Sequence, residues 1–278
     1  MAMAKAKRPA EVFGTASIDL STAAKAQRQK YLCPYIGSKC IKQTRLATYP
    51  MGVCSVDYNG DFIAICPKRF LQDQRVFKDI ADQHFGTRND LIVFSEIGLK
   101  TIGTFDYVMV KHKPMSDEIE DFVVIEFQTG QTTGTGKLVQ GLKDVMKGTD
   151  IAAKSYAFGL NTYDVWKRSF TQILNKGIVL EAWQRKIYWV VQEQVVRYLF
   201  NRYHLNDLST DPDNATVFLM YDLVCANNAL ALVNRGLCSA SVDHLFNAFR
   251  LNPSIPKRKE FEVILNKKLR ARLGFELH

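Results

Sequence analysis

Apolar and polar positions change rhythm several times along the chain. The first thirty residues are rich in Ala and Lys with a weak helical cast. Two β-prone runs, Val53–Tyr58 and Phe62–Cys66, flank Asn59-Gly60, a dipeptide suited to a tight hairpin turn. Val76, Phe77, Ile80 and Phe85 then fall at helical spacing, with Asp73 placed to cap that helix. Strands are predicted over Leu91–Phe94, Ile102–Val110 and Phe122–Phe127. The last is almost continuously apolar, as expected of a strand buried on both faces in mid-sheet. Between the last two strands lies a polar turn whose acids, Asp117, Glu118, Glu120 and Asp121, read as solvated.

Downstream, helical spacing dominates. Leu138–Met146 follows a Gly/Thr-rich loop, and Trp183, Ile187, Val190, Val191, Val195, Tyr198 and Leu199 form a stripe with a 3.6-residue period. That stripe predicts a helix serving core or dimer packing. Ala215–Cys225 reads as a strand, and short helices near 241–249 and 259–272 close the chain. The last carries Lys267, Lys268, Arg270 and Arg272, read as a mainly solvated face. There is no internal repeat. The expected organisation is a basic arm over 1–30, a cysteine-rich metal-binding subdomain over 31–70, and a main domain over 71–278.

Composition narrows the class. With 47% hydrophobic and 23% charged residues the chain has ordinary globular usage, so a sizeable core is expected. No apolar run approaches the roughly 18 residues of a spanning helix. The basic N-terminus lacks the apolar stretch of a secretory signal and reads as a mobile tail, so a cytoplasmic protein is expected. A formal net charge of +9 suits an anionic partner and favours nucleic acid over small acidic substrates.

Asp106 and Glu126 each lie inside an apolar strand, where a charge is costly unless it is paired or bound to a cation. Glu126 and Gln128, two apart on one strand, share a face. An antiparallel return through the 113–121 turn sets Asp106 beside them. Two carboxylates at a sheet face suit magnesium, which takes one or two carboxylates plus water and substrate phosphate. Glu96, ten residues upstream of Asp106, is a further candidate acid. The alternative is that both carboxylates sit at strand ends facing solvent.

Cys33, Cys40, Cys54 and Cys66 are separated by six, thirteen and eleven residues, with Cys-Pro pairs at both ends of the segment. Four thiolates suit a tetrahedral soft metal, zinc or iron; the alternative is four buried free cysteines. Cys225 and Cys238 read as core residues. The Gly/Thr run from Gln131 to Leu138 resembles a phosphate-binding loop but lacks its first Gly and final Ser or Thr. The five histidines show no metal-ligand spacing.

The two constellations, in this order, resemble the NotI family of type II restriction endonucleases, which includes the EagI-like enzymes. The matching stretches are Cys33-Pro34-Tyr35, Cys40 with Ile41-Lys42, Gly52-Val53-Cys54 and Ile65-Cys66-Pro67-Lys68-Arg69. Further on come Thr104-Phe105-Asp106-Tyr107, Val124-Ile125-Glu126-Phe127-Gln128 and the helical stretch Trp166 to Gln172. The resemblance covers roughly residues 31–175. It implies an α/β, PD-(D/E)xK nuclease-like fold, a mixed sheet flanked by helices, with 71–278 as the nuclease domain. It implies a homodimer cutting double-stranded DNA at a GC-rich palindrome with magnesium, alongside a cognate DNA methyltransferase of the same system. It places catalysis on Glu96, Asp106, Glu126 and Gln128, with Asp106 and Glu126 as magnesium ligands. Iron is implied at Cys33, Cys40, Cys54 and Cys66. Gln128 stands where the wider superfamily has lysine, which removes a strand-borne lysine base. The competing readings are a same-fold nickase or modification-dependent endonuclease, and a non-catalytic DNA-binding protein using the cysteine knuckle.

Overall fold

In the computed structural model the acid-bearing strands lie side by side in a six-stranded mixed sheet. Residues 6–274 are described, apart from 204, 206, 207, 212, 227, 228 and 252–256. The N-terminal part contains β1 (Lys7–Val12), β2 (Thr15–Ala16), α1 (Thr22–Gln29), β3 (Leu32–Cys33), β4 (Ser38–Lys39), β5 (Val53–Tyr58) and β6 (Asp61–Ala64). A kinked 3-10 segment, Pro67–Gln74, leads into α2 (Arg75–Ile80). Then come β7 (Leu91–Leu99), β8 (Gly103–His112), β9 (Ile119–Gln128), β10 (Thr132–Thr133), α3 (Thr135–Met146), β11 (Gly159–Leu160) and α4 (Thr162–Ala182). The rest comprises β12 (Lys186–Gln192), α5 (Glu193–Tyr203), β13 (Thr216–Ala226), β14 (Ala229–Ala240), α6 (Val242–Arg250) and α7 (Arg258–Arg270).

The large sheet runs β14-β13-β12-β9-β8-β7. β9, β12 and β13 are mutually parallel neighbours, while β7, β8 and β14 join antiparallel. This is the α/β class expected, a mixed sheet flanked by helices. One core packs Leu138, Leu142, Ile173, Leu180 and Val196 of the helices onto Val124, Trp189, Val191 and Phe218. A second core, on Tyr107, Met109, Ile125, Val190 and Leu219, is closed by Phe70, Val76 and Ile80. Because β9 and β12 bury both faces, their sequences are nearly unbroken apolar runs. Each fully buried Val, Leu or Ile there stabilises the fold by about 1.5–3 kcal/mol.

Several expectations need correcting. The stripe from Trp183 to Leu199 is two elements. Ile187–Gln192 is a wholly buried central strand, and only Val195 onward belongs to α5. A run buried on every side satisfies helical and strand periods alike, and Lys-Ile-Tyr-Trp-Val-Val is β-rich. Trp183 lies before the strand and is exposed.

The basic tail is built into the fold from Lys7 onward, since β1 pairs with β5 in a small sheet ordered β2-β1-β5-β6. Asp73 does not cap α2; it is left-handed (φ 53°), and Gln74 takes the cap position without a side-chain bond. Cys225 is exposed near the end of β13, whereas Cys238 is buried as expected. β14 was not anticipated, because an Asn-Arg-Gly sequence interrupts its apolar alternation. Gly236 (φ +105°) sits where β13 and β14 shift register. The Asn59-Gly60 hairpin, α3, β13, α6 and α7 lie close to their predicted positions.

A buried ionic knot ties the two sheets together. Arg69, inaccessible to solvent, donates Nε to Glu11 Oε2 at 2.8 Å and Nη2 to the Leu230 carbonyl at 2.6 Å. Ser55 Oγ and Tyr35 Oη also donate to the Glu11 carboxylate. The small sheet, the cysteine segment and β14 therefore meet around the Glu11–Arg69 pair.

Candidate active site and cysteine segment

β8 and β9 pair in a register that brings Asp106 level with Glu126, one step beyond the Tyr107–Ile125 pair. At that step the regular ladder gives way. Asp106 Oδ2 accepts the backbone N–H of Phe127 at 2.9 Å, and the Asp106 N–H lies against the Glu126 carboxylate. Each acid is thus fixed by the other's strand. Glu126 is almost fully buried, and its Oε1 accepts from Lys176 Nζ at 2.6 Å. Burial pushes the Glu126 carboxyl up to about 7 and the Asp106 charge adds to this, against the opposing pull of Lys176.

Gln128 projects from the same face of β9. Ser169 Oγ donates to its Oε1 at 2.8 Å, and its Nε2 donates to Gln172 Oε1 at 3.3 Å. Ser169, Gln172 and Lys176 recur at three- and four-residue steps, so one face of α4 runs along the Gln128–Glu126 side of β9. Beyond Gln128 the chain passes Gly130, where a Cβ would stand 2.6 Å from the Ile63 side chain. That close approach brings the small sheet against the end of β9. Asp106, Glu126 and Gln128 line a cleft of about 530 Å³, together with Arg168, Gln131 and the Lys42–Thr44 stretch of the cysteine segment.

Glu96 stands on the edge strand β7 level with Asp106, between the Ser95–Tyr107 and Ile97–Phe105 pairs, in a left-handed conformation (φ 57°); its side chain does not line the cleft itself. Lys68, which donates to Tyr107 Oη at 3.2 Å, feels the charges of both Glu96 and Asp106. The Gly/Thr loop does not form a phosphate cradle; Thr132–Thr133 pairs with Gly159–Leu160.

Among the described residues, no group of three or more His, Cys, Asp or Glu side chains is gathered so as to hold a metal ion. For magnesium the Asp106–Glu126 pair fits, because hard oxygen donors from one or two carboxylates suffice when water and phosphate complete the shell.

The cysteine segment is a knuckle in which β3 pairs with β4, and Cys40 N donates to the Tyr31 carbonyl at 2.8 Å. Cys66 N reaches the Cys54 carbonyl at 3.3 Å. All four cysteines are free thiols. Backbone N–H groups of Tyr35 and Ile36 face the Cys33 sulphur, and that of Lys68 faces Cys66. Burial raises the Cys33, Cys54 and Cys66 thiols, most strongly at Cys54, and the four cysteines act on one another electrostatically. The donor set suits a soft ion in kind, while the thiols as placed do not close around one point.

Sequence reasoning missed Lys176, together with the supporting roles of Ser169 and Gln172. The signal was the helical repeat itself, since stepping four residues on from Gln172 reaches a lysine. β9 itself carries no lysine, but the Lys176 ammonium reaches Glu126 from α4.

Comparison with known proteins adds an independent line. The family model described as restriction endonuclease NotI matches residues 11–232, most of the chain and both constellations. No curated protein matches the chain. On this match the chain belongs to the NotI restriction endonuclease family, whose members are site-specific type II deoxyribonucleases acting on double-stranded DNA.

Proposed function

We propose that the Asp106–Glu126–Gln128 cleft is where this endonuclease hydrolyses both strands of a GC-rich palindromic site, with magnesium and as a homodimer. The observation that carries this reading is the interlock of Asp106 and Glu126 across β8 and β9 at the floor of a cleft that also holds Arg168 and Lys42. Magnesium bound there supplies Lewis acidity and an activated water. Asp106 and Glu126 would hold it, and Gln128, oriented by Ser169 and Gln172, would position water or phosphate. Glu96 would act from the β7 edge as an accessory acid beside Lys68. Cations at the cleft rim would draw the DNA backbone in. A net charge of +9 favours the same partner.

Cys33, Cys40, Cys54 and Cys66 would hold an iron or zinc ion that fixes the 41–52 stretch, whose Lys42, Gln43 and Thr44 form one wall of the cleft. The domain plan becomes a nuclease domain over 71–278, a metal-binding subdomain over 31–70, and an N-terminal segment over 1–30 that braces that subdomain. A cognate methyltransferase would protect the same site.

The test is digestion of a fully sequenced genome in magnesium. Fragment ends sharing one palindromic sequence, lost in Asp106→Ala, are the expected result. Nicks alone on supercoiled plasmid, or sequence-specific gel shifts without cutting, would favour the nickase or binding-protein readings.

A further inference from the structure

The stretch from Lys42 to Tyr49 borders two hollows, and only one of them holds the acids. Lys42, Gln43 and Thr44 wall the Asp106–Glu126 cleft. The residues from Arg45 to Tyr49 wall a second, open hollow of about 660 Å³. Thr44 and Arg45 are consecutive, with Cα atoms about 3.8 Å apart, so the two hollows meet along this stretch. The other wall of the second is the end of α3, with Lys143, Met146 and Lys147, together with Gln29 and Tyr31 at the end of α1. Tyr49 stacks on Tyr31 with ring centres 5.6 Å apart and planes 6° apart, and Phe13 packs on Tyr31 at 5.5 Å. An aromatic column therefore braces the stretch that carries Arg45.

The charge here is of one sign. Among the described residues no acid lines the hollow, and Arg45, Lys143 and Lys147 enter no ion pair or side-chain hydrogen bond. Asp144, next to Lys143, is taken by Lys154, Tyr156 and Gln140. A smaller hollow of about 140 Å³ shares Gln29, Met146 and Lys147 with the first and adds Lys25 and Arg28. Arg28 is 1% exposed. Its Nε donates to Thr15 Oγ1 at 2.9 Å and its Nη2 to the Ala16 carbonyl, while Nη1 has no partner among the described residues. Cations at the end of a helix are ordinary, because they complement its negative pole. That accounts for Lys143 and Lys147. It does not account for Arg45, Lys25 and Arg28, which reach the same place from other elements.

We infer that this groove is a second DNA site, taking the phosphodiester backbone that flanks the cut sequence. Cations without acids make a backbone contact, which fixes the duplex without reading its bases. Lys143, Lys147 and Arg45 are the phosphate contacts, and Lys25 extends the row onto α1. The inference rests on the reading of the cleft as the cutting site, since a duplex held there runs on past the 42–49 stretch.

The experiment uses the full chain in calcium and two duplexes carrying the palindrome found at the genomic fragment ends, with binding read by fluorescence anisotropy. One duplex stops close to the palindrome; the other continues for one helical turn, about 10 base pairs, on each side. Wild type should bind the long duplex more tightly and with a steeper fall of log K against log salt. In Lys143→Ala/Lys147→Ala that slope should shrink by about 2, at about 0.9 per lost phosphate contact, with binding about tenfold weaker at low salt. On the short duplex the variant and wild type should coincide. Lys267→Ala/Lys268→Ala removes as much charge from α7 and should leave both slopes as they are. If the groove variant does not fold, as judged by thermal unfolding, Lys147→Glu, at an exposed position, is held to the same two readings.

Equal slopes for wild type on the two duplexes would overturn the proposal. So would a folded groove variant that keeps the wild-type slope on the long duplex or weakens both duplexes alike, or an α7 variant that matches it. A wild-type chain that neither binds these duplexes in calcium nor cuts DNA in magnesium would instead overturn the catalytic reading beneath it.

Discussion

The carboxylate cleft and the cysteine knuckle are both clusters of metal-seeking side chains, but they are assembled by different forces. In the cleft, backbone donors and a lysine already neutralise part of the negative charge, so Asp106 and Glu126 are interlocked with protein partners alone. In the knuckle, burial raises the Cys33, Cys54 and Cys66 thiols, and the four sulphurs do not converge. Lys42, and less strongly Lys68, oppose that rise at Cys66, while Lys42 is also engaged with the Ile65 carbonyl at 2.8 Å. The lesson is that a cation bonded directly to the acid lets a site stand preformed, whereas thiols whose burial outweighs their nearby lysines need the metal itself to displace their protons and draw them together.

The largest effect that would sharpen this contrast lies in the cleft. Asp106→Ala should reduce cleavage by about 10³-fold, roughly 4 kcal/mol of transition-state stabilisation. DNA binding measured in calcium should persist in a variant that thermal unfolding shows to be folded.

The knuckle should respond in the opposite sense, with stability lost first. Cys54→Ser, or stripping the thiol-bound metal with a chelator, should lower unfolding free energy by about 4 kcal/mol if the ion is present at 1,000 times its dissociation constant. Elemental analysis should show the iron or zinc content falling in parallel. Unchanged stability and metal content would remove the distinction between the two sites.

A third test concerns Glu126 and pH. Its carboxyl is raised from an ordinary value near 4.5 to about 7 in the fold. The neutral form is thus favoured by folding. This contribution is fully present below the unfolded pKa and is lost as pH rises through about 7. In metal-free protein, stability should fall by roughly 3 kcal/mol across that window. Denaturant titrations of wild type against Glu126→Gln should show the slope flattened in the variant. Magnesium should restore stability at the alkaline end.

The smallest effect concerns orientation. Ser169→Ala removes one hydrogen bond to Gln128 and should slow cleavage about fivefold, near 1 kcal/mol, without changing the cut site. A loss as large as that of Asp106→Ala would mean that Ser169 does more than orient Gln128.

Much of the two sheets was legible because their apolar runs are separated by clear turns, as at Asn59-Gly60 and around 113–121. β12 was misread because total burial removes the polar face by which a helix and a strand are told apart. Asp106, Glu126 and Gln128 were legible as charged or polar residues set into apolar strands. Lys176 was not, because a lysine on an amphipathic helix looks solvated until the tertiary fold turns it inward. Glu96, ten residues upstream of Asp106, falls on the neighbouring strand β7 level with Asp106, because one tight turn joins β7 to β8. The N-terminal strand was hidden by its lysines, since Lys7 and Arg8 flank a segment whose next four residues are buried.

The most direct test of the account is anomalous diffraction from manganese in crystals of the full chain with its DNA target. A manganese peak at Asp106 and Glu126 beside a DNA phosphate, with Lys176 still bonded to Glu126, is the result expected. Manganese bound elsewhere, with those two carboxylates holding no ion while the DNA lies in the cleft, would contradict it.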